Sequence, residues 1–160
     1  MVRLVVLVVL AFAGPAFAQV VQPLPAMASV SQVIDGHTLE IGGTTVRIFG
    51  IEAPERDQLC RVPQGRWSCG EHARSALQDL IRDRPVACAP VREDVFAGVT
   101  VARCSVAGRD IGATMVAGGW AVSLQGATRE YVAQEAKARA AGAGLWRDNA
   151  VAVGYLPQLP

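Results

Sequence analysis

Val33-Ile34-Asp35-Gly36-His37-Thr38, followed closely by Val46-Arg47-Ile48-Phe49-Gly50-Ile51-Glu52-Ala53-Pro54-Glu55, decides how this chain is read. Asp35-Gly36 has turn chemistry, because Asp bonds its own backbone and Gly accepts unusual dihedrals. The residues after it alternate apolar and polar, as a strand does. In the next strand Val46 and Ile48 face one side, so Arg47 faces the other. Glu52 and Glu55 follow where that strand ends, one on each side of Pro54. One guanidinium and two carboxylates therefore converge at the lip of a small sheet, a set suited to gripping a phosphate and a metal.

Working outward, Ser29 to Ile34 reads as the first strand, Thr38 to Ile41 as the second and Thr45 to Gly50 as the third. Arg56 to Trp67 reads as an irregular loop broken by Pro63 and Gly65. Ser68 and Glu71 have the spacing of a capping box. They open a helix whose Ala73, Ala76, Leu77, Leu80 and Ile81 share one face and which stops at Arg84-Pro85. Val86 to Pro90 and Val99 to Val106 give two more strands. Asp110 caps a second helix that closes at Gly118-Gly119, and Thr128 caps a third, rich in alanine. Five short strands with Gly turns and three helices predict an α+β chain, a five-stranded OB-type barrel with added helices.

The ends read differently. Arg3, the apolar run Leu4 to Ala13 and Ala16-Phe17-Ala18 have the layout of a secretory signal peptide over residues 1–18. The run is too short for a confident membrane span. Residues 19–28 read as a flexible lead-in, 29–147 as the folded domain and 148–160 as a loosely held tail. Export to the periplasm or the medium is the expectation, with no membrane span left after cleavage. Without Arg3 the chain carries 14 basic and 14 acidic residues. That balance does not favour a protein that lives by non-specific nucleic-acid binding, although a local basic patch can suffice. Cys60, Cys69, Cys88 and Cys104 are an even set in an exported chain, so disulfides are expected. Of three possible pairings we favour Cys60–Cys69, closing a short loop, and Cys88–Cys104, crossing two strands. A zinc site is the rival, but no Cys-x-x-Cys occurs.

From about Val30 to Trp146 the chain resembles the staphylococcal nuclease (thermonuclease-like) family. Its pattern V-x-D-G-D-T is met by Val33 to Thr38, and its V-R-x-x-G-x-D-T/A-P-E by Val46 to Glu55. Its late helix end and G-x-W match Met115 to Ala121 and Gly144-Leu145-Trp146. The resemblance implies an OB fold and calcium-assisted hydrolysis of DNA and RNA phosphodiesters. It also implies roles. A calcium-binding carboxylate belongs at His37 and a second at Glu52, with the Ala53 carbonyl beside it. The glutamate acting on the attacking water corresponds to Glu55. One phosphate-clamping arginine corresponds to Arg47, and the second falls at Val99.

Two of those positions have changed chemistry. Calcium takes roughly six to eight oxygens, so an imidazole at residue 37 is a poor ligand. Losing the second arginine removes a donor commonly worth about 3–4 kcal/mol of barrier. Together the two changes cost on the order of 10⁴-fold in rate. The expectation is a nuclease fold with weak or absent calcium-dependent cleavage. Alternatives are an active nuclease using manganese or zinc through His37, Glu52 and Glu55, a non-catalytic module holding an oligonucleotide, a nucleotide or a protein, and an envelope structural part. His37 read plainly is a strand-edge surface residue. His72 shows no partner in the sequence and reads as solvated. Trp67, Trp120 and Trp146 read as core or core-edge residues.

Overall fold

The computed structural model describes residues 28–94 and 98–149. The expected signal peptide, nearly all of the lead-in and the tail beyond Asn149 lie outside the described residues. In chain order the strands begin with β1 (Val30–Val33), β2 (Thr38–Ile41), β3 (Thr44–Ile48) and β4 (Ile51–Glu52). Then come β5 (Cys60–Val62), β6 (Gly65–Trp67) and helix α1 (Cys69–Ile81). The second half holds β7 (Val86–Asp94), β8 (Val99–Val106), β9 (Arg109–Asp110), α2 (Ile111–Ala117), β10 (Val122–Ser123) and α3 (Val132–Ala140).

The main sheet runs β1-β2-β3-β8-β7, with β9 added on β8. All its pairings are antiparallel except β3 with β8, which is parallel. The ladder among the described residues is an open path. The fold is α+β, as expected. Period-two alternation sets its inner face: Leu39, Ile41, Val46 and Ile48 are buried while Thr38, Glu40 and Arg47 are not fully so. Leu77 and Ile81 of α1 and Ile111, Met115 and Val116 of α2 close the core from the other side.

Several local expectations are corrected. The segment before α1 is a hairpin, β5 with β6, pairing Cys60 with Trp67. Pro63 and Gly65 fall at its tip, where their turn chemistry serves a tight reversal. The capping box is not formed. Ser68 sits at φ −78°, ψ 68°, away from the extended geometry of a cap, and its side chain caps nothing. Glu71 instead accepts from Arg74 Nη2 at 2.6 Å and Arg56 Nε at 3.3 Å. Thr128 accepts from the Glu130 N–H, one turn ahead of α3. β7 continues past Pro90 because a register shift between Pro90 and Arg92 absorbs the proline. His72 is exposed, as expected, but not partnerless: its Nδ1 lies 2.8 Å from the Ser68 carbonyl, and its ring stacks on Trp120. Asp110 does cap α2, accepting from the Ala113 N–H at 2.7 Å.

Tyr131 ties α3 to this cap. Its ring packs against Gly112, and its hydroxyl donates to Asp110 Oδ2 at 3.1 Å. Burial, and then the Asp110 carboxylate, push its phenol up to about 12. A phenol that ionises near 10 when unfolded and about 12 when folded stabilises the fold fully below pH 10. That contribution is lost as pH rises from 10 to 12. The urea midpoint should fall across this window, and Tyr131→Phe should flatten the fall. An equal fall in the variant would assign the loss to other groups.

Candidate active site and metal centre

The site is built from the turn between β1 and β2. The Ile34 N–H donates to the Thr38 carbonyl at 2.9 Å, and the His37 N–H donates to Asp35 Oδ1 at 2.8 Å. The His37 carbonyl accepts from the Ile48 N–H at 2.8 Å, tying the turn to the end of β3. Gly36 permits a close approach: a Cβ there would stand 2.7 Å from Ala53 Cβ and 2.8 Å from Ala73 Cβ. Three small residues thus press the turn, the acidic loop and α1 together. Asp35 is left 4% exposed and His37 1% exposed. The sequence reading of His37 as a surface residue is corrected here. The side chain points inward because Gly36 lets the turn sink onto α1.

Glu55 is placed by the start of α1. A β-carbon on Gly70 would run into the Glu55 carbonyl, and the Gly70 N–H donates to the Gln58 carbonyl at 3.2 Å. Gly70→Ala should therefore cost about 1–3 kcal/mol and lower the melting temperature. Gly126→Ala, where nothing lies within 4 Å, serves as the control. Equal melting shifts in the two variants would contradict this packing account. Glu52 is held from the opposite side. Its strand β4 pairs with β10, Glu52 opposite Val122. Ser123 of β10 donates its N–H to the buried Glu135 of α3 at 2.7 Å. Arg139 in turn donates to Glu135 Oε1 at 2.7 Å.

Within this frame His37 Nδ1 rests 2.9 Å from Asp35 Oδ1. The two side chains thus form a close buried pair. His37 Nε2 faces Glu52 Oε1 at 3.6 Å. Arg47 Nη2 donates to that same oxygen at 2.5 Å. The Glu55 side chain is exposed, and Asp35, His37 and Glu55 each offer a ligand atom, all within 4.8 Å of one another. Burial alone would raise the Asp35 carboxyl. The His37 ring, its charge and its backbone N–H outweigh burial and hold the carboxyl below its ordinary value.

The structure places His37, Arg47, Glu52 and Glu55 close together. It adds Asp35, which reads in the sequence as a turn residue and is one, since its carboxylate both bonds the turn and faces the site. The expected calcium does not fit this donor set. A buried imidazole stands between the Asp35 and Glu52 carboxylates and Arg47 engages a Glu52 oxygen, so the set mixes nitrogen with oxygen where calcium takes oxygens alone.

Val99 lies opposite Thr45, and Val101 lies opposite Arg47. Residue 99 therefore shares Arg47's face of the sheet, two positions along. Arg103, further along that face, donates to Glu130 at 2.9 Å and stacks on Phe49, so it is committed elsewhere. Register sets the exposed Arg92 of β7 opposite Val101, one strand beyond Arg47. Sequence reading missed this cation, because only strand register reveals which positions of β7 and β3 lie in line.

Two comparisons bear on this arrangement. The family model described as staphylococcal nuclease homologue matches residues 45–148. The succinoglycan biosynthesis protein ExoI of Rhizobium meliloti (strain 1021) is 33% identical over 130 residues. That alignment covers 79% of this chain, while the chain spans 66% of the relative's length, short of two thirds. With a match over well more than half its residues, and with Arg47, Glu52 and Glu55 gathered at one lip of the sheet, the chain belongs to the staphylococcal nuclease homologue family.

Proposed function

We propose that this chain is an exported phosphodiester-binding domain of nuclease descent whose calcium-dependent hydrolysis of DNA and RNA is slow. The observation that carries the reading is His37, fully buried where the family resemblance calls for a calcium-binding carboxylate. Val99 adds to it, since it sets an aliphatic side chain on the face that Arg47 uses. In this reading Arg47 leaves Glu52 to take a phosphate oxygen, and Glu55, exposed at the lip, orients the attacking water. Export is supported by the leader-like first eighteen residues and by two disulfides, Cys60–Cys69 and Cys88–Cys104. Among the described residues no helix is long and apolar enough to cross a membrane.

Plasmid digestion in calcium, run beside an active family member, tests the rate. The expected result is cleavage slower than the control by far more than tenfold. Cleavage within about tenfold, only about 1.4 kcal/mol of barrier, would overturn the proposal. A second reading, binding without cleavage, is favoured by a relative named for biosynthesis rather than degradation. Labelled single-stranded DNA titrated at two salt concentrations separates the two. Salt-sensitive binding that depends on Arg47 and Arg92, with no cleavage, selects the module.

A further inference from the structure

We propose that the cleft between β1 and the second half of α1 is a phosphate-binding site, separate from Arg47, that holds the backbone of a nucleic-acid single strand running on past the lip. Resting on the phosphodiester-binding reading, this site adds a second point of attachment to it. The cleft has a volume of about 300 Å³ and largely polar walls, at the small end of the range of ligand pockets. Arg56, Arg74 and Arg82 all line it, as does Asp83. Glu71 pairs with both Arg56 and Arg74. Three guanidiniums against two carboxylates leave a local positive excess in a chain whose charges otherwise balance closely.

Arg82 carries most of the weight. It caps the C-terminal end of α1 at φ 43°, ψ −147°, a backbone region that glycine enters freely and other residues enter at a cost. Helices commonly end on glycine for that reason, so what an arginine brings to this position is its side chain. The Arg82 Nε donates to the Asp79 carbonyl at 3.1 Å, which steadies that side chain, and its Nη groups meet no acceptor among the described residues. The neighbouring donors are set in advance. The Glu71 carboxylate accepts from Arg74 Nη2 at 2.6 Å and from Arg56 Nε at 3.3 Å, leaving the Arg56 Nη groups open among the described residues. Gln78 spends its Oε1 on Arg74 Nη1 at 3.0 Å, so its amide nitrogen is left to donate. A surplus of donors around a small polar space suits an oxyanion, and guanidinium forks match phosphate. Exposed ion pairs such as Arg56–Glu71 contribute little to stability, so a phosphate can share Arg56 at small cost to the fold.

The cleft adjoins the site through the chain itself. Val33, on its wall, ends β1 two residues before Asp35. Arg56 directly follows Glu55, and Arg74 directly follows Ala73, which meets Gly36. The same three segments thus build the site and the cleft, and a strand held at Arg47 has a second cationic hold alongside.

The test uses the full disulfide-bonded chain in metal-free buffer, so that no strand is cut. Inorganic pyrophosphate is titrated by calorimetry, and a labelled thymidine dodecamer by anisotropy at several salt concentrations. Pyrophosphate should bind the parent and Arg47→Gln alike, and Arg82→Gly roughly tenfold more weakly. The dodecamer should weaken by a similar factor in Arg82→Gly. Its slope of log affinity against log salt should shrink by about 0.7, the share of one phosphate contact on a single strand. Arg82→Gly should melt close to the parent, since glycine relaxes the helix end, which separates a lost contact from a damaged fold. Arg56→Gln, at an exposed residue, should weaken both ligands as well.

Pyrophosphate binding that follows Arg47 rather than Arg82, or unchanged binding of both ligands in Arg82→Gly and Arg56→Gln, would overturn the proposal. Pyrophosphate that answers to Arg82 while the dodecamer ignores it overturns the strand as occupant, in favour of a small free phosphate. A parent that binds no dodecamer at all ends the phosphodiester-binding reading instead, and the pyrophosphate titration shows which of the two has failed.

Discussion

His37→Asp combined with Val99→Arg should raise calcium-dependent plasmid cleavage by at least about 10²-fold, since a single transition-state donor is typically worth 10²–10³ in kcat. The two changes act on different quantities. An aspartate at 37 stands beside Asp35 and across from Glu52, where His37 now lies at 2.9 and 3.6 Å. Three carboxylates that close repel one another until a cation joins them. The variant's urea midpoint should therefore fall without calcium and recover with it. An arginine at 99 projects from the same face as Arg47, two positions along the neighbouring strand, so its guanidinium flanks the phosphate that Arg47 engages. His37→Asp alone should restore calcium binding with a smaller gain in rate. Val99→Arg alone should tighten single-stranded DNA without restoring calcium. If the double variant regains calcium-dependent stability and still cleaves no faster than the parent, these two positions are not what limits the reaction.

The main strands were legible because their signal is local. Thr38 to Ile41 and Val99 to Val106 alternate with period two and are bounded by Gly turns, and both appear where the pattern puts them. The β5–β6 hairpin was not legible. Its strands are three residues each, too short to show a period, and Cys60–Cys69 joins its first strand to the start of α1. The convergence of Arg47, Glu52 and Glu55 could be read because all three sit within nine residues of one another. The burial of His37 could not. It depends on Gly36 meeting Ala53 and Ala73, and Ala73 is distant in sequence. Nor could the support of Glu52 through β10, Ser123 and Glu135, which joins residues more than eighty positions apart. Arg92 is hidden for a related reason, since a bulge after Pro90 changes which β7 residues share a face with Arg47.

Replacing all four cysteines by serine should leave the domain largely unfolded at 25 °C. Cys60–Cys69 closes a loop with a separation of 9 residues and Cys88–Cys104 one of 16. Loop-closure entropy assigns each about 3 kcal/mol. The bridges lie in different parts of the fold, one between a hairpin and α1, the other between the directly opposed strands β7 and β8. Their losses should therefore nearly add, and about 6 kcal/mol is comparable to the whole stability of many domains of this size. The pairs should nonetheless behave differently when removed singly. Loss of Cys88–Cys104 lowers the urea midpoint and leaves the site's ligand affinity alone, because eight residue pairs of the β7–β8 ladder still hold the strands. Loss of Cys60–Cys69 frees the start of α1, where Gly70 abuts Glu55, so it should weaken ligand binding at the site as well as stability. The same reasoning bears on the proposed export. A chain that needs both bridges accumulates only where thiols oxidise, so expression of residues 19–160 in a reducing cytosol should yield little folded protein, and export should restore it. Full stability of the four-serine variant, or of the reduced chain, would remove the physical link between these cysteines and export.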